Sequence, residues 1–200
     1  MVERRSALAH LLQVIRERAH DLPGSSALVL GDIRAGSVVH VAAWPDTVPG
    51  VEAVIRDLLG LDPAPLGRFS GGENACVATL SPGRYLVVSQ ESGIAARFEA
   101  AMLSAQGAAA DLTHGRALLR LQGDCAGDVL AKGCAIDFAD SAFPAGRVAQ
   151  TLLGHIDVTI LRRDAQTFDI MTLRGFVESL AEWLLDAGLE YEIVLAGGAH

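Results

Sequence analysis

Asp111 and His114 stand three residues apart, with Thr113 beside them and Cys125 and Cys134 downstream. Acid, histidine, hydroxyl and thiol are the materials of nucleophilic catalysis, where a base activates a nucleophile and an acid orients the base. Here the parts do not add up to a triad. The nearby hydroxyl is a threonine, and the chain has no Gly-x-Ser-x-Gly elbow to present a serine. A plainer reading fits the run Asp111-Leu112-Thr113-His114-Gly115-Arg116: Asp111 and Thr113 bond nearby backbone, and Gly115 relieves a tight entry into the next strand. His114 and Arg116 are left for an interface.

The Cys125-x8-Cys134 spacing matches neither a Cys-x-x-Cys redox pair nor zinc ligands two to four residues apart. Both thiols are expected in the core as small hydrophobes. Histidines at 10, 20, 40, 114, 155 and 200 are scattered, so no metal site is expected. Phe69-Ser70-Gly71-Gly72-Glu73-Asn74 lacks the downstream Gly and Lys of a phosphate-cradling loop. Gly123 and Gly127 are flanked by Asp124 and Asp128, which would repel a pyrophosphate. The residues themselves assign no catalytic group, cofactor or metal to this chain.

Composition narrows the class further. The chain has 200 residues, half of them apolar and a fifth charged, which describes a packed globular protein. Its net charge of −8 argues against nucleic acid, because phosphate affinity comes from clustered Lys and Arg. No apolar run approaches the roughly 20 residues that cross a bilayer. Three widely spaced cysteines make no disulfide framework and fit a reducing compartment, so a cytoplasmic location is expected.

Periodicity supplies the elements. Leu8, Leu11, Leu12 and Ile15 recur on one helical face, and Asp21-Leu22-Pro23-Gly24 breaks the chain after them. Residues 1–24 therefore read as a helical arm that can dock elsewhere. Strands are predicted at 38–44, 74–80, 84–89, 117–121, 148–153, 156–161 and 167–173, with helices at 51–59, 94–104, 125–131 and 176–186. The run 27–33 is of doubtful type, and 62–72 reads as a Pro- and Gly-rich loop. Strand–helix order repeats between the halves, so the expected fold is α+β, two ferredoxin-like βαββα pseudo-repeats over 25–110 and 111–195, with a disordered tail at 196–200.

Three runs carry a resemblance: "DLTHGRALLRLQGDCAGDVLAKGCAIDF", "FPAGRVAQTLLGHIDVTILRR" and "FDIMTLRGFVESLAEWL". Together with "RRSALAHL" at the start and "DAGLEY" near the end, they resemble the gamma subunit family of heterotetrameric sarcosine oxidase. The same order is distantly similar to the folate-binding aminomethyltransferase fold. The resemblance implies a non-catalytic subunit of an oxidoreductase that demethylates sarcosine to glycine, with formaldehyde or methylene-tetrahydrofolate and hydrogen peroxide as the other products. It implies alpha, beta and delta partner subunits, chiefly alpha, and places FAD, FMN, NAD and zinc on those chains. Asp157, in "GHIDVTIL", falls roughly where the aminomethyltransferase fold puts a carboxylate on folate, although one acid stands where that fold has a pair. The equivalent subunit of a related N-methyl amino acid dehydrogenase, or a free-standing folate-binding one-carbon protein, are the alternatives.

Overall fold

A computed structural model describes residues 28–103, 106–191 and 193–196; the expected arm at 1–24 lies outside these residues. The chain divides into two compact units, each discontinuous in sequence. One comprises Ala35–Arg116 with Gly146–Ala149, and the other takes in the remainder, including Ala117–Ala145 and the chain from Gln150 onward.

In the Ala35–Arg116 unit, β2 (Ser37–Ala43) leads through a short 3-10 turn into α1 (Val48–Leu59). Pro49 near the helix start tolerates the missing N–H, and Gly60 ends the helix in the left-handed conformation (φ 67°), its N–H donating to Arg56 O at 2.8 Å. Three strands follow: β3 (Phe69–Gly71), β4 (Ala75–Ser81) and β5 (Arg84–Ser89). Pro82-Gly83 turns β4 into β5, with Gly83 at φ 67°. Helix α2 (Ile94–Ala101) and strand β6 (Gly107–Asp111) complete the unit. The sheet runs β3-β4-β5-β2-β6. Alternate residues Val39, Val41 and Ala43 face Val51, Ile55, Ile94 and Phe98 of the helices, a core of fully or nearly fully buried side chains. Tyr85 joins that core and donates its hydroxyl to Glu52 Oε1 at 2.7 Å; burial first, then Glu52, raises its pKa.

The second unit begins with β1 (Leu28–Ile33), continues with β7 (Arg116–Gln122) and α3 (Ala126–Ala131), then β8 (Val148–Leu153), β9 (Ile156–Arg162), β10 (Thr167–Leu173), α4 (Val177–Ala187) and β11 (Ile193–Ala196). Its sheet runs β11-β1-β7-β10-β9-β8. The orders β3-β4-β5-β2 and β8-β9-β10-β7 correspond strand for strand, as a repeated split βαβ arrangement requires. The expected limits of 25–110 and 111–195 put β1 with the first repeat, whereas β1 pairs β7 in antiparallel and β11 in parallel. Ala196, expected to open the tail, pairs Gly31 in β11, and residues 197–200 lie outside the described residues. Within the run 27–33 the described residues Leu28–Ile33 form a strand, and three short strands (β3, β6, β11) arise where the sequence pattern predicts none.

Trp183 on α4 fixes two glycines. A Cβ on Gly133 would stand 2.3 Å from its Cζ2, and one on Gly154 would stand 2.7 Å from its Nε1. Gly154 (φ 55°) and His155 (φ 72°) form the two-residue turn between β8 and β9, both in the left-handed region that such turns need. Gly133→Ala is therefore expected to lower unfolding free energy by about 1–3 kcal/mol through overpacking. Combining it with Trp183→Leu should cost less than the sum of the two single changes, read by urea denaturation; strict additivity would show that the indole is not the obstacle.

Candidate functional site

The Asp111–Arg116 run is built from backbone hydrogen bonds. Asp111 ends β6, and its Oδ1 accepts the Thr113 N–H at 2.9 Å. Thr113 is buried, and its Oγ1 accepts the Val38 N–H of β2 at 2.9 Å, with Leu112 N–H donating to Val38 O at 2.8 Å. The acid and the hydroxyl thus close the end of the β2–β6 pair. His114 points away as an exposed side chain.

Cys134 is buried with its Sγ 3.6 Å from Thr151 Oγ1, as the hydrophobic reading expects. Cys125 differs: it is half-buried, because it occupies the N-cap of α3 and sits at the helix entry instead of its core face. Asp157 is exposed on β9, and its backbone carbonyl accepts the Thr172 hydroxyl at 2.9 Å. The Phe69–Asn74 run makes β3 and a tight turn, with Gly72 N–H donating to Ala75 O at 2.9 Å. Among the described residues no group of three His, Cys, Asp or Glu is placed to hold a metal, and no helix is long and apolar enough to cross a membrane. Asp111, His114 and the Phe69–Asn74 run belong to one compact unit, and Cys125, Cys134 and Asp157 to the other.

The strongest polar constellation lies elsewhere. Asp169, on β10 and 1% exposed, receives Arg120 Nε at 2.7 Å and Nη2 at 3.0 Å from β7. Arg163, just past β9, donates Nε at 2.6 Å to Oδ2, the oxygen that also receives Arg120 Nη2. Arg162, one residue earlier, points to the opposite face, since strand side chains alternate. It is 4% exposed and donates Nη1 to Phe138 O at 2.9 Å and Phe143 O at 2.6 Å, and Nη2 to Ala165 O at 2.9 Å and to Asp140. The irregular segment from Cys134 to Gly146 is thereby pinned to β9, with Phe138 edge-on to Phe143 and Phe168 at 5.7 and 5.6 Å. One signal in the sequence pointed here: Asp169 is a lone acid inside an apolar strand, and a buried carboxylate needs a partner.

Such a network orders a fold; it offers no nucleophile or free base. A cavity of about 440 Å³ lies between Leu58, Leu59, Asn74 and Glu91. On its rim Asn74 O accepts the Gln90 backbone N–H at 2.8 Å, and Glu91 pairs with Arg97 at 3.0 Å.

Fold comparison gives the class first. Aminomethyltransferase T of the glycine cleavage system from Bartonella henselae superposes with a TM-score of 0.65 at 20% identity, over 93% of this chain and 58% of that one, a likeness of fold. A chain of heterotetrameric sarcosine oxidase from Corynebacterium sp. U-96, solved with pyrrole 2-carboxylate, superposes with a TM-score of 0.83 at 28% identity, over 98% and 99% of the two chains. The gamma subunit of sarcosine oxidase from Arthrobacter sp. is 31% identical over 94% of this chain and 91% of its own length. Residues 45–190 match the model of the sarcosine oxidase, gamma subunit family. The chain belongs to that family, as the three resembling runs imply.

Two outcomes check the geometry. Thr113→Val leaves the buried Val38 N–H without an acceptor and should cost roughly 1–3 kcal/mol, while His114→Ala should stay within about 0.5 kcal/mol of wild type. Asp169→Ala leaves two arginines facing each other and should cost roughly 3–5 kcal/mol in denaturant unfolding; a loss no larger than that of His114→Ala would mean the pair is not structural.

Proposed function

We propose that this chain is the gamma subunit of a heterotetrameric, flavin-dependent oxidase that demethylates sarcosine to glycine, with formaldehyde or methylene-tetrahydrofolate and hydrogen peroxide as the other products. Alpha, beta and delta subunits are its partners, alpha the principal one, and they hold FAD, FMN, NAD and zinc. The complex works in the cytoplasm. The observation that carries this reading is the near end-to-end likeness to a chain of the Corynebacterium enzyme, at 28% identity and 98% coverage, beside the family match.

In this role the chain supplies surface and shape, not reacting atoms. Its buried Asp169 is engaged with Arg120 and Arg163. Asp157 has no assigned ligand here: it stands exposed on its strand. Within each compact unit we read a single ancestral βαββα repeat, since the strand orders correspond.

Co-expression of the tagged chain with the other three subunits tests the assignment. A 1:1:1:1 assembly that oxidises sarcosine is expected by native mass spectrometry and oxygen uptake. The chain expressed alone should show no absorbance band near 450 nm and no stoichiometric zinc. A chain that stays monomeric beside its partners, or that purifies yellow by itself, contradicts the proposal.

A further inference from the structure

One row across the second unit's sheet leaves large apolar side chains in solvent. The two-residue Gly154–His155 turn joins β8 to β9, so Leu153 stands opposite Ile156 and Leu152 opposite Asp157. Between β9 and β10, Thr172 stands opposite Val158, and the same register sets Leu173 opposite Asp157. Leu152, Asp157 and Leu173 therefore share one face of three neighbouring strands, roughly 4.8 Å apart. Leu152 is 51% exposed and Leu173 42%, and Asp157 is exposed between them. Phe176, 51% exposed, follows in the short turn that leads from β10 into α4. All four lie within Gln150–His200, a single stretch of one compact unit. The open part of the face is this outer row, since Thr159 and Met171, one row further in, are buried.

The row's chemistry restricts what can cover it. Leucines flank a carboxylate that has no hydrogen-bond or ion-pair partner among the described residues. A purely apolar cover would shut Asp157 away as an unpaired charge, which is strongly unfavourable. The covering surface must bring a cation to the centre and apolar groups to either side. A second copy of this chain meets that requirement badly, because a two-fold contact centred on the row would set one Asp157 against the other. The chain's net charge of −8 also favours a cationic visitor. On the same side β8 ends the sheet, and Val148–Leu153 carries neither charge nor proline to guard that edge.

We propose that a partner subunit docks on the Leu152–Asp157–Leu173 row, setting an arginine or lysine on the Asp157 carboxylate and apolar side chains on Leu152, Leu173 and Phe176. The proposal rests on the reading of this chain as a subunit and names a surface by which it assembles. Apolar groups around the ion pair keep water from it, which strengthens the attraction.

Photocrosslinking inside the purified complex tests it. Benzoylphenylalanine replaces Leu152 in chain co-expressed with the partner subunits, and mass spectrometry identifies the peptide that irradiation attaches. That peptide is expected to come from another subunit. A peptide of this chain's own sequence, or no adduct in intact complex, overturns the proposal. Competition for limiting partner subunits gives the energetic side, with native mass spectrometry reading the ratio of variant to wild type in the complex. Asp157→Lys and Leu152→Ser/Leu173→Ser are each expected to be under-represented roughly tenfold or more, and Asp157→Asn by a smaller factor. Leu189→Ser, at an exposed leucine in the turn after α4, should enter at the wild-type ratio. Should the serine pair lower the melting temperature of the free chain, Asp157→Lys and the crosslink decide. If the row variants enter as well as Leu189→Ser, the docking surface is wrong while the subunit reading stands. If wild type itself stays out of the complex, that reading fails.

Discussion

A carboxylate shut away from water at Asp169 sets the terms for the second unit. A buried charge of this kind is tolerated only with partners in place, and two arginines provide them from different points in the chain. Arg120 reaches it across the β7–β10 pair, and Arg163 reaches it from the end of β9. Because consecutive strand residues alternate, placing Arg163 on one face commits Arg162 to the other, where it holds the carbonyls of Phe138 and Phe143. One strand end therefore orders both the sheet and the long irregular segment before β8. These bonds hold only when β7, β9 and β10 sit in register, so the network selects one strand pairing over its neighbours.

Several of the side chains that look most reactive are engaged with the fold itself. Asp111 and Thr113 are engaged with backbone at the end of β6, and Cys134 is walled in beside Thr151. His114 and Asp157 are exposed and stand on different elements. Catalysis needs groups held within hydrogen-bond reach of one another and of a substrate; Asp111 and His114 belong to one compact unit, and Cys125, Cys134 and Asp157 to the other.

Much of the fold could be read from the chain because its signals are local. Helix α1 stops where Gly60 supplies the left-handed cap, and β4 turns into β5 where Pro82 and Gly83 preset the dihedrals. The strands that escaped notice have no such signal. Gly107–Asp111 is a run of small residues with no β-branched side chain, and Phe69–Gly71 is three residues inside a loop-like stretch. Both are strands because β2 and β4 recruit them, a tertiary effect. The run at 28–33 was ambiguous because a short apolar segment fits helix or strand alike. The Asp169 network shows in the sequence only as a lone acid inside an apolar strand; its arginine partners are brought to it by strand order, which no spacing along the chain reveals. Cys125 was misplaced by a single residue, since the helix begins after it.

The account holds that this chain shapes a catalytic complex without contributing reacting groups, and turnover per assembled complex tests that most directly. A chain carrying His114→Ala, Cys125→Ser, Cys134→Ser and Asp157→Asn together removes the histidine, both thiols and the carboxylate that its sequence offered for chemistry outside the backbone-bonded Asp111 and Thr113. Assembled with its partners and normalised to intact complex, it is predicted to oxidise sarcosine with the wild-type kcat. A fall of about tenfold or more with assembly intact, equivalent to roughly 1.4 kcal/mol in the barrier, would place one of these residues in the reaction and contradict the account.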